Sequence, residues 1–188
     1  DNQLSAIEKL RRFKVGALFM EPGTGKTRAA MELVKSIPDP DFILWLTPFR
    51  TKDNLRIELD KFGDLDCEIM GIETLSSSQR TYLQLYEHLS GCANPVIVVD
   101  ESLKIKNWGA KRTKRIIELG KFAQYKLILN GTPLSKNILD IWAQMEFLSP
   151  KILNMGLGEF KNTFCEYTRI TQSVAGKRST QEFITKYH

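Results

Sequence analysis

Gly23-Thr24-Gly25-Lys26-Thr27 closes one apolar run, and 74 positions (100 − 26) after Lys26 a second run, Val96-Ile97-Val98-Val99, ends in Asp100-Glu101. Gly23 and Gly25 accept dihedrals that side chains forbid, so with Thr24 they can turn successive backbone N–H groups around a phosphate oxygen. A helix beginning there directs its positive end at the same anion. Lys26 is placed to neutralise the outer phosphates of a nucleoside triphosphate, the Thr27 hydroxyl to complete a magnesium shell, and Arg28 to join the nucleotide-binding set. Magnesium keeps most of its waters and takes one or two protein oxygens, so a single strand-end carboxylate, Asp100, is the expected partner of Thr27. Glu101 is placed to accept a proton from an attacking water. A phosphate loop alone would imply only nucleotide binding; the second strand with its acidic pair implies ATP, Mg2+ and hydrolysis. One departure is plain: the strict loop pattern has an outer glycine where this chain has Met20.

These groups need a scaffold that delivers them to one edge. Five β-like runs, Val15 to Met20, Phe42 to Thr47, Cys67 to Ile72, Val96 to Val99 and Tyr125 to Asn130, alternate with helical patterns. Leu4, Ile7 and Leu10 repeat at helical spacing, Thr27 to Ile37 continues as a helix until Pro38, and Leu83, Tyr86 and Leu89 mark another. Ile116, Ile117 and Leu119 form the apolar face of a basic helix ending at Gly120, and Ile138, Ile141, Trp142, Met145 and Leu148 that of a helix stopped by Ser149-Pro150. Strands alternating with helices predict an α/β fold of the RecA-like phosphate-loop type, a mainly parallel sheet with helices on both faces. Ligands of such sheets gather outside the carboxyl ends of the strands, where both acidic and glycine-rich motifs fall. We expect an ATP-binding lobe over residues 1–150 and an extension over 151–188, with Ser173 to Thr180 a mobile excursion leading out of the domain.

With 188 residues, 42% of them hydrophobic and 26% charged, the chain suits one globular domain with a sizeable core. No apolar stretch reaches the ~18 residues of a membrane span, and Asp1 to Leu10 lacks the apolar centre of a signal peptide, so a cytoplasmic protein is expected. Cys67, Cys92 and Cys165 have no CxxC spacing and read as reduced, buried thiols. The formal charge of +5 permits a polyanionic partner without demanding one. Lys111, Arg112, Lys114 and Arg115 read as a solvated helix face.

Asp100 to Asn107, and then Leu127-Ile128-Leu129-Asn130-Gly131-Thr132-Pro133-Leu134, resemble motifs II and III of the SWI/SNF-type DNA-dependent ATPases of helicase superfamily two, in a compact phage- or bacterial-like version. The helix containing Leu139-Asp140-Ile141-Trp142 and ending Phe147-Leu148-Ser149-Pro150 resembles that family too. The DEAD-box RNA helicases fit less well, since their third motif reads Ser-Ala-Thr where this chain has Gly131-Thr132-Pro133. The resemblance runs from about Gln3 to Pro150. It implies adenine recognition by Gln3, and coupling of hydrolysis to movement by Gly131, Thr132 and Pro133. It also implies DNA-backbone tracking by loops like motif Ia (Thr47-Pro48-Phe49-Arg50) and motif Ib (Gly71-Ile72-Glu73-Thr74), hence by Arg50, Thr51, Lys52 and Thr74. Such loops can grip phosphates without reading bases. Lys106 and Asn107 would link the ATP site to that surface, and the protein would be nucleoid-associated when on DNA.

The family commonly has histidine after Asp-Glu-Ala or Asp-Glu-Ser; this chain has Leu103. A histidine could hydrogen-bond towards motif III and leucine cannot, so coupling between hydrolysis and motion is the property in question. The family's motor has two RecA-like lobes, and the resemblance covers one, so the chain is expected to be the first lobe of a longer double-stranded-DNA translocase. Two other readings compete: a nucleotide-responsive nucleic-acid-binding module without turnover, and another phosphate-loop NTPase such as a small-molecule kinase.

Overall fold

The computed structural model describes residues 2–63, 65–135, 137–174 and 177–187. In chain order these form α1 (Asn2–Leu10), β1 (Val15–Phe19), α2 (Lys26–Lys35), β2 (Phe42–Thr47), α3 (Lys52–Lys61), β3 (Glu68–Gly71), α4 (Thr74–Ser77) and α5 (Gln79–Gly91). Then follow β4 (Pro95–Val99), α6 (Lys111–Leu119), β5 (Tyr125–Asn130), α7 (Leu139–Leu148), α8 (Pro150–Leu153), α9 (Leu157–Phe164), β6 (Cys165–Val174) and β7 (Lys177–Tyr187). All five expected strands are present, and they pair in parallel in the order β1-β5-β4-β2-β3. The α/β fold with helices on both faces is therefore the observed one.

The period of two in a strand divides the core cleanly. Ile43, Trp45, Val96, Val98, Leu127 and Leu129 face α1, α2 and α3. Leu44, Leu46, Ile97, Val99 and Ile128 face the opposite layer, which includes α5, α6 and α7. Every residue of β4 is buried, as a central parallel strand requires.

Two helices bury a face rotated from the expected one: α1 keeps Ile7 and Leu10 but not Leu4, and α5 keeps only Leu89. Leu4 is 62% exposed, and Ala6, Ile7 and Leu10 make the contact of α1. In α5, Leu83 is 53% exposed and the buried stripe is Tyr82, Leu85 and Leu89. Tyr82 packs under the α6 layer with its hydroxyl donating to Glu118 Oε2 at 2.7 Å; burial, and then this hydrogen bond, push its pKa up to about 12. Arg115 is a correction of another kind. It is 6% exposed, lies 4.6 Å from the Tyr82 ring centroid, and donates to the carbonyls of Leu75 at 2.8 Å and Ser78 at 3.2 Å and to Gln79 Oε1. It pins the α4–α5 corner to α6, while Lys111 and Lys114 remain solvated.

Packing continues past Pro150. Leu153, Met155, Leu157 and Phe164 lie against the main core, Phe160 is 2% exposed within it, and Trp142 Nε1 donates to the Met155 carbonyl at 3.0 Å. Beyond Phe164 the chain forms a two-stranded antiparallel ribbon, with Val174 paired to Lys177 and Cys165 to Tyr187, and the segment expected to be an excursion lies at its turn. Positions 175 and 176 of the expected mobile segment lie outside the described residues. The β-branched residues on either side of them, Thr168, Ile170 and Thr171 and then Thr180, Ile184 and Thr185, favour extended chain, and each strand supplies the other's backbone partners. Among the described residues no cysteine forms a disulfide; Cys67 and Cys165 are buried, whereas Cys92 is only half-buried.

Arg115→Met should destabilise the domain by about 1–3 kcal/mol in urea unfolding, because the buried Leu75 carbonyl loses its side-chain donor and the half-buried Ser78 carbonyl keeps only the Tyr82 N–H. Lys114→Gln, one position earlier and exposed, should stay within about 0.5 kcal/mol.

Candidate active site

The phosphate loop leaves β1 at one edge of the sheet and feeds α2. Gly23 has φ 78° and Gly25 φ 81°, so both occupy the left-handed region that glycine tolerates. Gly25 caps α2 without a side-chain hydrogen bond. The first N–H groups of the helix thus remain as donors at its positive end. Thr24 folds back, its hydroxyl donating to the Glu21 carbonyl at 2.6 Å, and Gln3 Nε2 reaches from α1 to donate to the Thr24 carbonyl at 2.8 Å. A Cβ on Gly25 would collide with the Gln3 amide. Gln3 and the loop are therefore fitted to each other. Met20, in place of the outer glycine, keeps the strand pattern by donating its N–H to the Asn130 carbonyl at 3.0 Å while its side chain joins the core.

The acidic pair leaves β4, separated from β1 by β5 alone. Side chains on an extended strand alternate faces, so consecutive carboxylates would diverge. Glu101 breaks the alternation with φ 51° and ψ 53°, a conformation costing a non-glycine residue about 1–3 kcal/mol. Its carboxylate is thereby held 3.9 Å from Lys26 Nζ, joining the two motifs across the sheet edge. Asp100 lies deeper. Its Oδ1 accepts the Glu101 N–H at 2.9 Å, and its Oδ2 accepts the Thr47 hydroxyl at 3.3 Å. Burial, and then the charge of Glu101, raise the Asp100 pKa above the ordinary carboxylate range; the Glu101 N–H, Lys26 and Thr47 only partly oppose them. An acid in that condition calls for a cation.

The third loop at this edge, Gly131-Thr132-Pro133, continues β5. The Gly131 N–H donates to Asn130 Oδ1 at 2.8 Å, and a Cβ on Gly131 would stand 3.6 Å from Pro22 Cδ of the phosphate loop. Three loops thus meet where three adjacent strands end.

The SNF2-related domain model matches residues 50–185. The chain belongs to the SNF2-related domain family. The Schizosaccharomyces pombe chromatin structure-remodeling complex subunit snf21 is 26% identical over an alignment of 162 positions that covers 74% of this chain and 13% of that protein. The Arabidopsis thaliana ISWI chromatin-remodeling complex ATPase CHR11 is 31% identical over 94 residues, 49% of this chain and 8% of that protein. A solved Sulfolobus solfataricus SWI2/SNF2 ATPase core in complex with dsDNA superposes with a TM-score of 0.69 at 25% identity, covering 87% of this chain and 38% of its own. This SNF2-related domain therefore spans well under half the length of each of these three relatives.

Within the SNF2-related domain, the other residues singled out from sequence fall into two groups. Arg50 is exposed, Thr74 opens α4 half-buried, and Lys52 stands 5.9 Å from the Phe49 ring centroid. The remainder make contacts within the chain, although Thr51, Asn107 and Arg28 are exposed and Lys106 is half-buried. The Thr51 hydroxyl contacts Thr47 Oγ1 at 3.0 Å and donates to the Pro48 carbonyl at 2.9 Å. Asn107 Oδ1 accepts the Gly109 N–H at 2.9 Å, closing its own turn. Lys106 is ion-paired with Asp140 at 3.4 Å and hydrogen-bonded to Ser135. Arg28 lies over Phe62 at 5.5 Å rather than over the loop. Sequence reasoning passed over Thr47 as an active-site residue. It is fully buried and links the motif Ia strand to Asp100, and a hydroxyl closing an otherwise apolar strand was the available signal. Motifs Ia and Ib also touch directly: the Phe49 N–H donates to Glu73 Oε2 at 2.9 Å, and Gly71 is the residue small enough for Phe49 to pack over.

A carboxyl whose folded pKa is raised is penalised when ionised, and that penalty is present at high pH and fades as pH falls through the folded pKa. Asp100→Asn should therefore raise the thermal midpoint of the nucleotide-free domain at pH 8 by roughly 2–4 °C, the shift that ~1 kcal/mol produces in a chain of this size. Scanning calorimetry across pH should show the gain shrinking towards about pH 4. A variant no more stable than the parent at pH 8 would refute this electrostatic account.

Proposed function

We propose that this chain is the ATP-binding first lobe of a double-stranded-DNA-dependent ATPase that moves along or remodels DNA complexes. The observation that carries this reading is the Lys26–Glu101 approach: a phosphate-loop lysine and a strand-end glutamate, from strands that are not neighbours, face one another across a desolvated aspartate. The positive-φ glycines, the uncapped start of α2 and Lys26 together fit a polyphosphate. Asp100 and the Thr27 hydroxyl fit Mg2+, whose charge would offset the developing charge on the transferred phosphoryl group.

Each residue then has a defined task. Loop amides and Lys26 hold the outer phosphates, and Gln3 stands at the rim of a cleft of ≈ 510 Å³ shared with Ile7, Arg28 and Glu32, in a position suited to the adenine base. Glu101 draws the proton from the attacking water as its oxygen bonds to the γ-phosphorus and the bond to ADP breaks. Thr47 holds Asp100 so that nucleotide-state changes are felt in the motif Ia loop. Duplex DNA is proposed as the partner because Arg50, Lys52 and Thr74 lie on the loops that follow β2 and β3, where phosphate contacts need no base readout. A second lobe supplying arginines would raise turnover by ~10³ to 10⁵, so the chain alone should hydrolyse ATP feebly.

Three outcomes test the reading. Lys26→Ala should abolish binding of a fluorescent ATP analogue. Glu101→Gln should retain binding while steady-state phosphate release from the two-lobed protein falls by a factor of ~10² to 10⁴. Wild-type phosphate release should be stimulated by duplex DNA, and stimulation by RNA alone would overturn the substrate assignment.

A further inference from the structure

A histidine at position 103 could hydrogen-bond towards the Gly131–Pro133 loop, and the leucine here cannot. The structure fills that role from another element. Ser102, adjacent to Glu101 and fully buried, donates its hydroxyl to Gln144 Oε1 at 2.6 Å. Gln144, also fully buried, donates through Nε2 to the Pro133 carbonyl at 2.8 Å and to the Asp140 carbonyl at 2.7 Å. The chemistry sets the amide's orientation. Two of its neighbours are carbonyls, which only accept, so the NH2 must face them and the oxygen must face the hydroxyl. Both ends of the Gln144 side chain are used.

One turn earlier on α7, Asp140 repeats the arrangement. Its Oδ2 accepts the Ser135 N–H at 2.8 Å and hydroxyl at 2.7 Å, and its Oδ1 pairs with Lys106. Positions i and i+4 share a helix face, so α7 holds the 3-10 turn Ser102–Ile105 and the segment after β5 with two polar side chains in line. Gln144 is the inner one, a single residue from Glu101 and one hydrogen bond from a loop that lies beside the phosphate loop.

We propose that Gln144 is the positioning residue that couples the motif II turn to the motif III loop in this chain, in the place a histidine at position 103 would occupy. The inference rests on the reading of this site as an ATPase centre. A displacement of Ser102 that accompanies nucleotide engagement must either carry Gln144 and Pro133 with it or leave a buried donor and acceptor unpaired, and the second course is disfavoured. Gly131, Thr132 and Leu134 therefore report on what happens at Glu101.

Hydrogen–deuterium exchange on the 188-residue chain, with and without a slowly hydrolysed ATP analogue and Mg2+, tests this. In the wild type the nucleotide should slow exchange of the Gly131, Thr132 and Leu134 amides by ~5-fold or more. Gln144→Leu should bind the analogue with unchanged Kd and lose that response, and Leu103→His in the Gln144→Leu background should restore part of it. Ser102→Ala, a smaller change that cuts one leg of the bridge, should behave like Gln144→Leu and decides the matter if Gln144→Leu fails to fold. A wild type that binds the analogue without slowing these amides overturns the proposal, as do folded variants that retain the full response. A wild type that binds no nucleotide overturns the ATPase reading itself, a separate failure seen in the binding measurement.

Discussion

The parallel ladder β1-β5-β4 is the constraint from which the site follows. β5 lies between the strand that carries the phosphate loop and the strand that carries the acidic pair, with Phe19 opposite Asn130 and Val99 opposite Ile128. Because the strands are parallel, all three end on one edge, and because they are buried on both faces their register cannot slip without moving a whole apolar set to the wrong layer. Lys26, Glu101 and Gly131 meet at that edge as a consequence of packing far below them. A one-residue slip of β4 would carry Asp100 to the other helical layer before it altered any contact with a phosphate.

Within that frame the two carboxylates have different environments. Asp100 is desolvated, fixed by Thr47 and by the next N–H, and raised in pKa, an environment that disfavours its ionised form and that a bound cation would offset. The Glu101 side chain is 47% exposed and kept in place by a strained backbone and Lys26, so it can reach both solvent and phosphate. The strain at Glu101 gives the pair its shared direction: without the left-handed step, one acid would face each helical layer. Division of labour between adjacent carboxylates here rests on a backbone dihedral as much as on side-chain identity.

Much of this was legible from the sequence, for physical reasons that differ by element. The five strands were readable because their apolar runs are bounded by turn residues, and the central β2 and β4 are buried along almost their whole length, which leaves little ambiguity of element type. Lys26, Asp100 and Glu101 were readable because phosphate and metal chemistry restricts the residue types allowed at those spacings. The buried faces of α1 and α5 were less accessible, since Leu4 and Tyr86 satisfy a helical period as well as Ala6 and Tyr82 do, and tertiary partners choose between them. Arg115 was misread for a related reason: a cation in a basic run looks solvated until the carbonyls of Leu75 and Ser78 are brought to it by the α4–α5 corner. Lys106 and Asn107 were expected to link the ATP site to the DNA-facing surface; Lys106 pairs with Asp140, and Asn107, which is exposed, accepts the Gly109 N–H, partners that a linear string does not show.

The polar side of α7 shows how a departure in one motif can be absorbed elsewhere. A helix that buries Trp142, Met145, Phe147 and Leu148 has little reason to carry Asp140 at 7% exposure or Gln144 at zero, since each must find partners or forfeit the cost of leaving water. Both find them on the two segments that flank the catalytic edge, and a fully satisfied buried network specifies one arrangement more sharply than an apolar contact would. An apolar residue at 144 would fill the same space while leaving the Ser102 hydroxyl and the Pro133 carbonyl unpaired. Leucine at 103 and glutamine at 144 are thus complementary: the polar link between the two motifs is kept, but its middle atom now comes from a helix, so the coupling between them depends on how rigidly α7 is packed.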